Sequence, residues 1–456
     1  MNMLARHSLL VLTLFVSGFA ISFPPVKAAE SPEDTNQIES LTPEQARKLA
    51  KEFPGVDVML EITGIGELTM QNCLPLNGLK SLDASTAKAL AGYRKEGLLL
   101  NGLTMLDADT AKALAGYKGQ WLHLNGLTTL DAATAKALAE LEDHVLWLDG
   151  LTSLDADTAK ALAEFKGGFL HLNGLTLLDA DTAKALAGYR KEGLRLNGLT
   201  MLDADTAKAL AGYKGRWLHL NGLTTLDAAT AKALVEFKGE FLSLNGLTSL
   251  DAETAKALAE LEGGGLALCG LTTLDTATTE ALAEVKVSEL VINGLTTLDA
   301  DTAKALAGFR GDKLFLCGLT TLDAATAKAI AELKGQGLVL CGLTTLDPET
   351  AKALTEFKGQ GLVLGGLTTL DTPDSVAVAQ ALATRKGPLE LPNLEKISPK
   401  TLTTLIEKRD VEIPPIETLE LIPEPDGSPT KDFVIPGWLE EREKERRAEQ
   451  AAERSK

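Results

Sequence analysis

The chain has 456 residues, with 45 Lys and Arg against 63 Asp and Glu and a formal net charge of −18. That balance argues against a nucleic-acid binder, which needs a basic face for phosphate, and a 45% hydrophobic content argues against disorder along the whole chain. Aromatics make up only 4%, and there are five His and four Cys, so the core must be built from Leu and Ala and little is left for metal, thiol or enzymatic chemistry.

Residues 1–28 read as an export signal. Arg6 supplies the positive start, Leu9 to Phe23 is an apolar run broken by Thr13, Ser17, Gly18 and Ser22, and Val26-Lys27-Ala28 offers a small-residue cleavage site. The run is shorter than the roughly 20 apolar residues that span a bilayer. The expectation is an exported protein, periplasmic, cell-surface or secreted, with no membrane span after cleavage. Residues 29–73 form a polar lead and an N-terminal cap. Within it Thr42-Pro43-Glu44-Gln45 opens a helix, and Leu60 to Ile65 reads as a strand-only copy of the units that follow.

From 74 to 387 one unit recurs thirteen times with a period of 24 residues. The position of Asn101 returns at Asn77, Asn125, Asp149, Asn173, Asn197, Asn221, Asn245, Cys269, Asn293, Cys317, Cys341 and Gly365 without an insertion. Residues 94–142 nearly repeat at 190–238, so the array has grown by internal copying. In each unit Leu98 and Leu100 alternate as a short half-buried strand, Gly102 turns the chain, and Leu103 and Leu106 point back inward. Asp107 stands as N-cap of a helix through Ala108-Asp-Thr-Ala-Lys-Ala-Leu-Ala. Ala111, Leu114 and Tyr117 share its buried face, Lys112 faces water, and Gly119 closes the helix. The Tyr117 column is apolar or aromatic throughout and reads as core. A lone unit cannot bury this face, so neighbours must stack as a solenoid.

At these residues the chain resembles the leucine-rich-repeat family, in a short 24-residue form of exported bacterial proteins, over about residues 60–395. The resemblance rests on the Leu98-x-x-Asn101-x-Leu103 spacing and on the replacement of Asn by Cys269, Cys317 and Cys341. It implies an α/β solenoid with parallel strands on one face and short Ala-rich helices on the other, and a protein-binding scaffold. It also implies an Asn/Cys ladder that satisfies the backbone of the turn. The chain departs from the family at Glu96, where the family has Leu, and the direction of the Asn101 side chain stays open. A parallel β-helix is the rival fold, and the Ala-Lys-Ala-Leu-Ala run, a strong helix former, counts against it. Residues 388–422 read as a degenerate repeat and C-terminal cap, and 423–456 as a Pro-rich linker and charged tail carrying Trp438.

The residue between the two strand leucines is expected to face outward, and it varies from coil to coil. Together with the position two before it, this column gives a candidate binding face: Trp121, His123, Trp147, His171, Arg195, Trp217, His219 and Phe315. A metal set of His123, Asp149 and His171 is disfavoured because Trp147 lies between the two His. The acidic column at Asp107, Asp131 and Asp155 reads as helix capping. Cys317 and Cys341 lie one coil apart, but side chains on in-register parallel strands point alike, so they read as Asn replacements and not as a disulfide. No Gly-rich phosphate loop, Ser-His-Asp set or His-Glu-x-x-His pattern occurs. The expectation is a non-catalytic scaffold with no cofactor or metal and a protein partner. The alternatives are a glycan-binding module stacking sugars on Trp121, Trp147 and Trp217, and a passive spacer.

Overall fold

A computed structural model describes residues 35–62, 66–142, 144–425, 427, 436–442, 444 and 448. The export signal and most of the charged tail lie outside the described residues. The first helix, Pro43–Glu52, starts in a reciprocal cap. The Thr42 hydroxyl accepts the Gln45 N–H at 3.3 Å, and the Gln45 side chain accepts the Thr42 N–H at 2.8 Å. Strand Val56–Ile62 then pairs antiparallel with strand Gly66–Pro75. This corrects the reading of Leu60 to Ile65 as a strand-only copy of the repeat, whose strands pair in parallel; residues 63–65 of that segment lie outside the described residues. So short a connection permits only antiparallel pairing, because a parallel crossover needs a dozen or more residues.

The chain divides into two units, residues 1–292 and 293–456. In the first, strand Gly66–Pro75 begins a parallel ladder with Leu74 opposite Leu98. The ladder continues coil by coil, with Leu98 opposite Leu122, Leu146 opposite Leu170 and Leu218 opposite Leu242. Each strand is followed by a short helix, such as Ala108–Leu114, Ala132–Leu138 and Ala204–Ala211. This is the expected α/β solenoid, with parallel strands on one face and short helices on the other. The strand leucines Leu98, Leu100 and Leu103 and the helix residues Ala111, Leu114 and Tyr117 are fully buried.

Two local devices fix each helix. The Asp carboxylate accepts the N–H of the Thr three residues on, as Asp107 does from Thr110 at 2.8 Å. The same Thr then reaches back a coil: the Thr206 hydroxyl donates to the Leu178 carbonyl at 3.4 Å. The Tyr117 column is core, as expected, and its rings stack between coils. Tyr189 and Tyr213 have centroids 6.1 Å apart, as do Tyr213 and Phe237. Each buried phenol finds an acceptor, with Tyr189 donating to the Gly168 carbonyl at 2.7 Å and Tyr213 to Lys191 at 3.2 Å. Gly119 plays a different part from the one its sequence position suggests. Its φ is not positive, and it is glycine because a Cβ there would collide with the Tyr117 hydroxyl.

In the second unit strands Lys313–Phe315, Gly337–Val339, Gly361–Val363, Leu389–Glu390 and Val411–Glu412 pair in parallel. A second small sheet, Thr369–Leu370 with Lys396–Ile397 and Glu420–Leu421, lies among the turns. The C-terminal end of the array is held by buried polar groups. The Arg385 guanidinium lies over the Phe357 ring at 5.1 Å and donates to the Gly359 carbonyl at 2.7 Å. Glu424 accepts from the Ser398 hydroxyl at 2.8 Å and the Lys400 N–H at 2.9 Å. Part of the expected tail joins this end: residues 437–442 are helical, Leu439 is buried, and Arg442 donates to the Val411 carbonyl at 2.8 Å.

Candidate functional site

Three columns run side by side along the strands of the first unit. The Asn101 column is a ladder in which each side-chain oxygen accepts the backbone N–H of its counterpart in the next coil. Asn101 receives Asn125 at 3.0 Å, Asn125 receives Asp149 at 2.9 Å, and Asp149 receives Asn173 at 2.8 Å. Asn197 receives Asn221 at 3.1 Å, and Asn245 receives Cys269 at 2.9 Å. The direction left open by the sequence is thereby settled: the column turns its carbonyl along the solenoid and closes backbone donors that the turn would leave orphaned.

The column between the strand leucines, expected to face outward, is buried. His123 is 1% exposed, Trp147 6%, His171 3% and His219 1%, and Arg195 is half-buried. In the second unit Phe315, opposite Val339, is 5% exposed. The rings cover one another at the spacing of the strands. Trp147 lies 4.6 Å from His123 and 3.9 Å from His171, centroid to centroid. Ser243 shows how the Asn ladder closes one flank: its hydroxyl donates to Asn221 at 2.7 Å and accepts from Asn245 at 3.1 Å. Val58 and Met70 of the antiparallel hairpin share an apolar cluster with Leu99 and Trp147, and Trp121 and Val145 pack against it.

Burial sets the electrostatics of this column. Both ring nitrogens of His123 and His219, the Nδ1 of His171, the indole N–H of Trp147 and Oδ2 of Asp149 make no hydrogen bond among the described residues. Burial pushes the His123 imidazole down to about 3. It also drives His171 and His219 well below the usual range, with the Arg195 charge adding to the effect. Asp149 is pushed up by burial and drawn back by its hydrogen bonds to Asn173 and by Arg195. Neutral imidazoles packed against an indole are core side chains, and Trp147 keeps His123 and His171 apart. Among the described residues no three His, Cys, Asp or Glu side chains converge to hold a metal.

The third column, at Trp121, remains half-exposed through Val145, Phe169 and Trp217, while Phe241 is buried at 5%. The Phe169 and Trp217 rings stack at 5.3 Å, two coils apart, by passing over Gly193. A Cβ on Gly193 would sit 2.6 Å from the Phe169 ring. The Arg216 guanidinium lies 4.8 Å over the Trp217 ring and pairs with Glu192 at 2.9 Å and Glu240 at 2.8 Å. Of the candidate residues only Trp121, Trp217 and Arg195 therefore keep appreciable exposure. Glu192, Arg216 and Glu240 were not among them. Their signal was an alternation of charge at the 24-residue period, which only the parallel register converts into contact.

No family model matches the chain, and no curated protein matches it. Among solved structures it is similar to a chain in the structure of the Toll–Spatzle complex, described as a molecular hub in Drosophila development and innate immunity. The two are 14% identical with a TM-score of 0.37 over 75% of this chain. The chain spans 42% of the length of that protein. The solenoid assignment rests on this chain's own strand register and helix spacing.

Proposed function

We propose that the protein is an exported, non-catalytic scaffold that binds a protein partner at or outside the cell envelope. The observation that carries this reading is the Phe169–Trp217 stack capped by Arg216 and rimmed by Glu192 and Glu240. Aromatic and Arg side chains anchored on a rigid surface and ringed by polar groups are where protein interfaces concentrate their energy. Growth of the array by copying supports a scaffold over a single-site machine, and the signal at residues 1–28 supports export.

The test is capture of envelope and secreted components by the mature chain, beside a Phe169→Ala/Trp217→Ala variant whose fold is checked by circular dichroism. A protein retained only by the wild type supports the proposal. A glycan retained in its place would transfer the aromatic column to sugar stacking, with Trp121 and Trp217 as platforms, since Trp147 is enclosed between imidazoles. Identical eluates would leave the solenoid as a spacer.

A further inference from the structure

Phe169, Gly193 and Trp217 open three consecutive strands, Phe169–His171, Gly193–Arg195 and Trp217–His219. The register that lets the two rings meet over Gly193 also sets His171 opposite Arg195 and Arg195 opposite His219. Neighbouring strands lie roughly 4.8 Å apart, and residues two apart on a strand share a face. The aromatic stack therefore stands beside a row of imidazole, guanidinium and imidazole. Both imidazoles are buried. Nδ1 of His171 and both ring nitrogens of His219 make no hydrogen bond among the described residues, so no protein acceptor is in place for a further proton on those atoms. On one flank the Trp147 ring lies 3.9 Å from His171, with His123 beyond it. His144, one coil before His171, turns to Tyr117 instead. On the other flank Ser243 follows His219 in register and is held by Asn221 and Asn245. Along the ladder Asn173, Asn197 and Asn221 are neutral, and the Asp149 carboxylate acts on Arg195. At the rim Glu192, Arg216 and Glu240 pair with one another.

We infer that the His171–Arg195–His219 row is an acid-operated gate on the Phe169–Trp217 surface: in acid the two imidazoles become charged beside the guanidinium, the row opens to water, and the stack on the same three strands breaks. That this stack is the surface a partner uses rests on the reading given above; the gate itself does not. Three like charges on consecutive strands, shielded from water, repel strongly and lose their hydration. In the closed row burial first and the Arg195 charge second hold both imidazoles neutral. An open, hydrated imidazole takes up its proton at about 6.5. Below that pH each His favours the open row by up to about tenfold per pH unit, and the two together by up to about a hundredfold. Asp149, raised by burial, works in the opposite sense, with one proton against two.

The experiment follows near-ultraviolet circular dichroism and tryptophan fluorescence of the full-length chain from about pH 7.5 to about pH 5, across the range in which a hydrated imidazole titrates. Far-ultraviolet circular dichroism runs beside it, and a Phe169→Ala/Trp217→Ala variant marks the part of the signal that belongs to the stack. The test variants are His171→Leu/His219→Leu, which copies Leu99 of another coil, and Arg195→Leu. The expected result is a reversible loss of the stack signal in the wild type, with the far-ultraviolet signal retained. The loss should come at a lower pH in Arg195→Leu and be absent over this range in the double His variant. An unchanged wild-type signal, the same loss in the double His variant, or a simultaneous far-ultraviolet collapse would each overturn the gate. Should the double variant not fold, an unshifted midpoint in Arg195→Leu would overturn it alone. Capture of envelope and secreted components plays no part in this readout, so the partner reading and the gate fail separately. A component captured at neutral pH and still held after the wild-type stack has broken would count against the partner reading alone.

Discussion

The Trp147 indole lies on the His123 imidazole with the ring planes 13° from parallel. A ring so enclosed is stable only when neutral, and His123 is accordingly pushed down to about 3. An unfolded His titrates near ~6.5, so below that pH the unfolded chain binds the extra proton. The stabilisation is complete above ~6.5 and is lost as pH falls toward about 3. The loss reaches at most about 1.4 kcal/mol per pH unit for each such His. Asp149, raised by burial, acts in the opposite sense, so the informative comparison is with His123→Leu, which copies Leu99. Urea unfolding at pH 7 and pH 5 is expected to show a smaller drop in midpoint for the variant. Parallel pH profiles would contradict the argument.

Gly193→Ala is expected to lift the Phe169 ring off its bed and break the stack with Trp217. The cost is about 1–3 kcal/mol, as for other overpacked sites. Near-ultraviolet circular dichroism should change with it, and partner capture should weaken. Gly361 occupies the equivalent column, and a Cβ there meets nothing within 4 Å. Gly361→Ala should therefore stay within about 0.5 kcal/mol of the wild type.

Asn197→Ala removes the acceptor of the Asn221 N–H, which is buried. Leaving that donor unsatisfied should cost about 1–3 kcal/mol in urea unfolding. Asn197→Cys should cost less, because the chain itself places Cys at this position three times.

Asp203→Ala should cost about 1 kcal/mol through the lost helix cap, and Asp203→Asn only a small part of that. The Thr206 N–H and hydroxyl hold the Asp203 carboxyl below its usual range. Its contribution is thus present above the ordinary value of 3.8 and lost as the medium becomes more acidic than that, so it begins to fall only near the acid end of the window in which His123 acts.

The helices, their Asp caps and the Tyr117 column were legible because each depends on neighbours within a few residues and on a fixed period. The fate of His123, Trp147 and His171 was not. Alternation along a strand predicts which side a residue takes, but not whether that side is left open. Here it is closed by rings from adjacent coils and by Val58 and Met70, a long-range contact with no local signature. Trp217 stands among the residues of the candidate face, and Phe169 does not. Gly193, which lets them meet, looked like an unremarkable gap in the column. Charge pairing between Glu192, Arg216 and Glu240 became visible only with the register.

The ladder that runs through Asn173, Asn197 and Asn221 gives each coil with Asn in this column the same two terminals, an acceptor offered forward and a donor presented backward. Any two coils of this kind are therefore interchangeable as junction partners. A copying slip that inserts or deletes a whole number of 24-residue units rejoins a matching pair of terminals, whereas a slip of any other length leaves an acceptor facing the wrong atom. Selection on such a gene can tune reach without redesigning a core, and the near-identity of 94–142 and 190–238 is the trace that this route leaves.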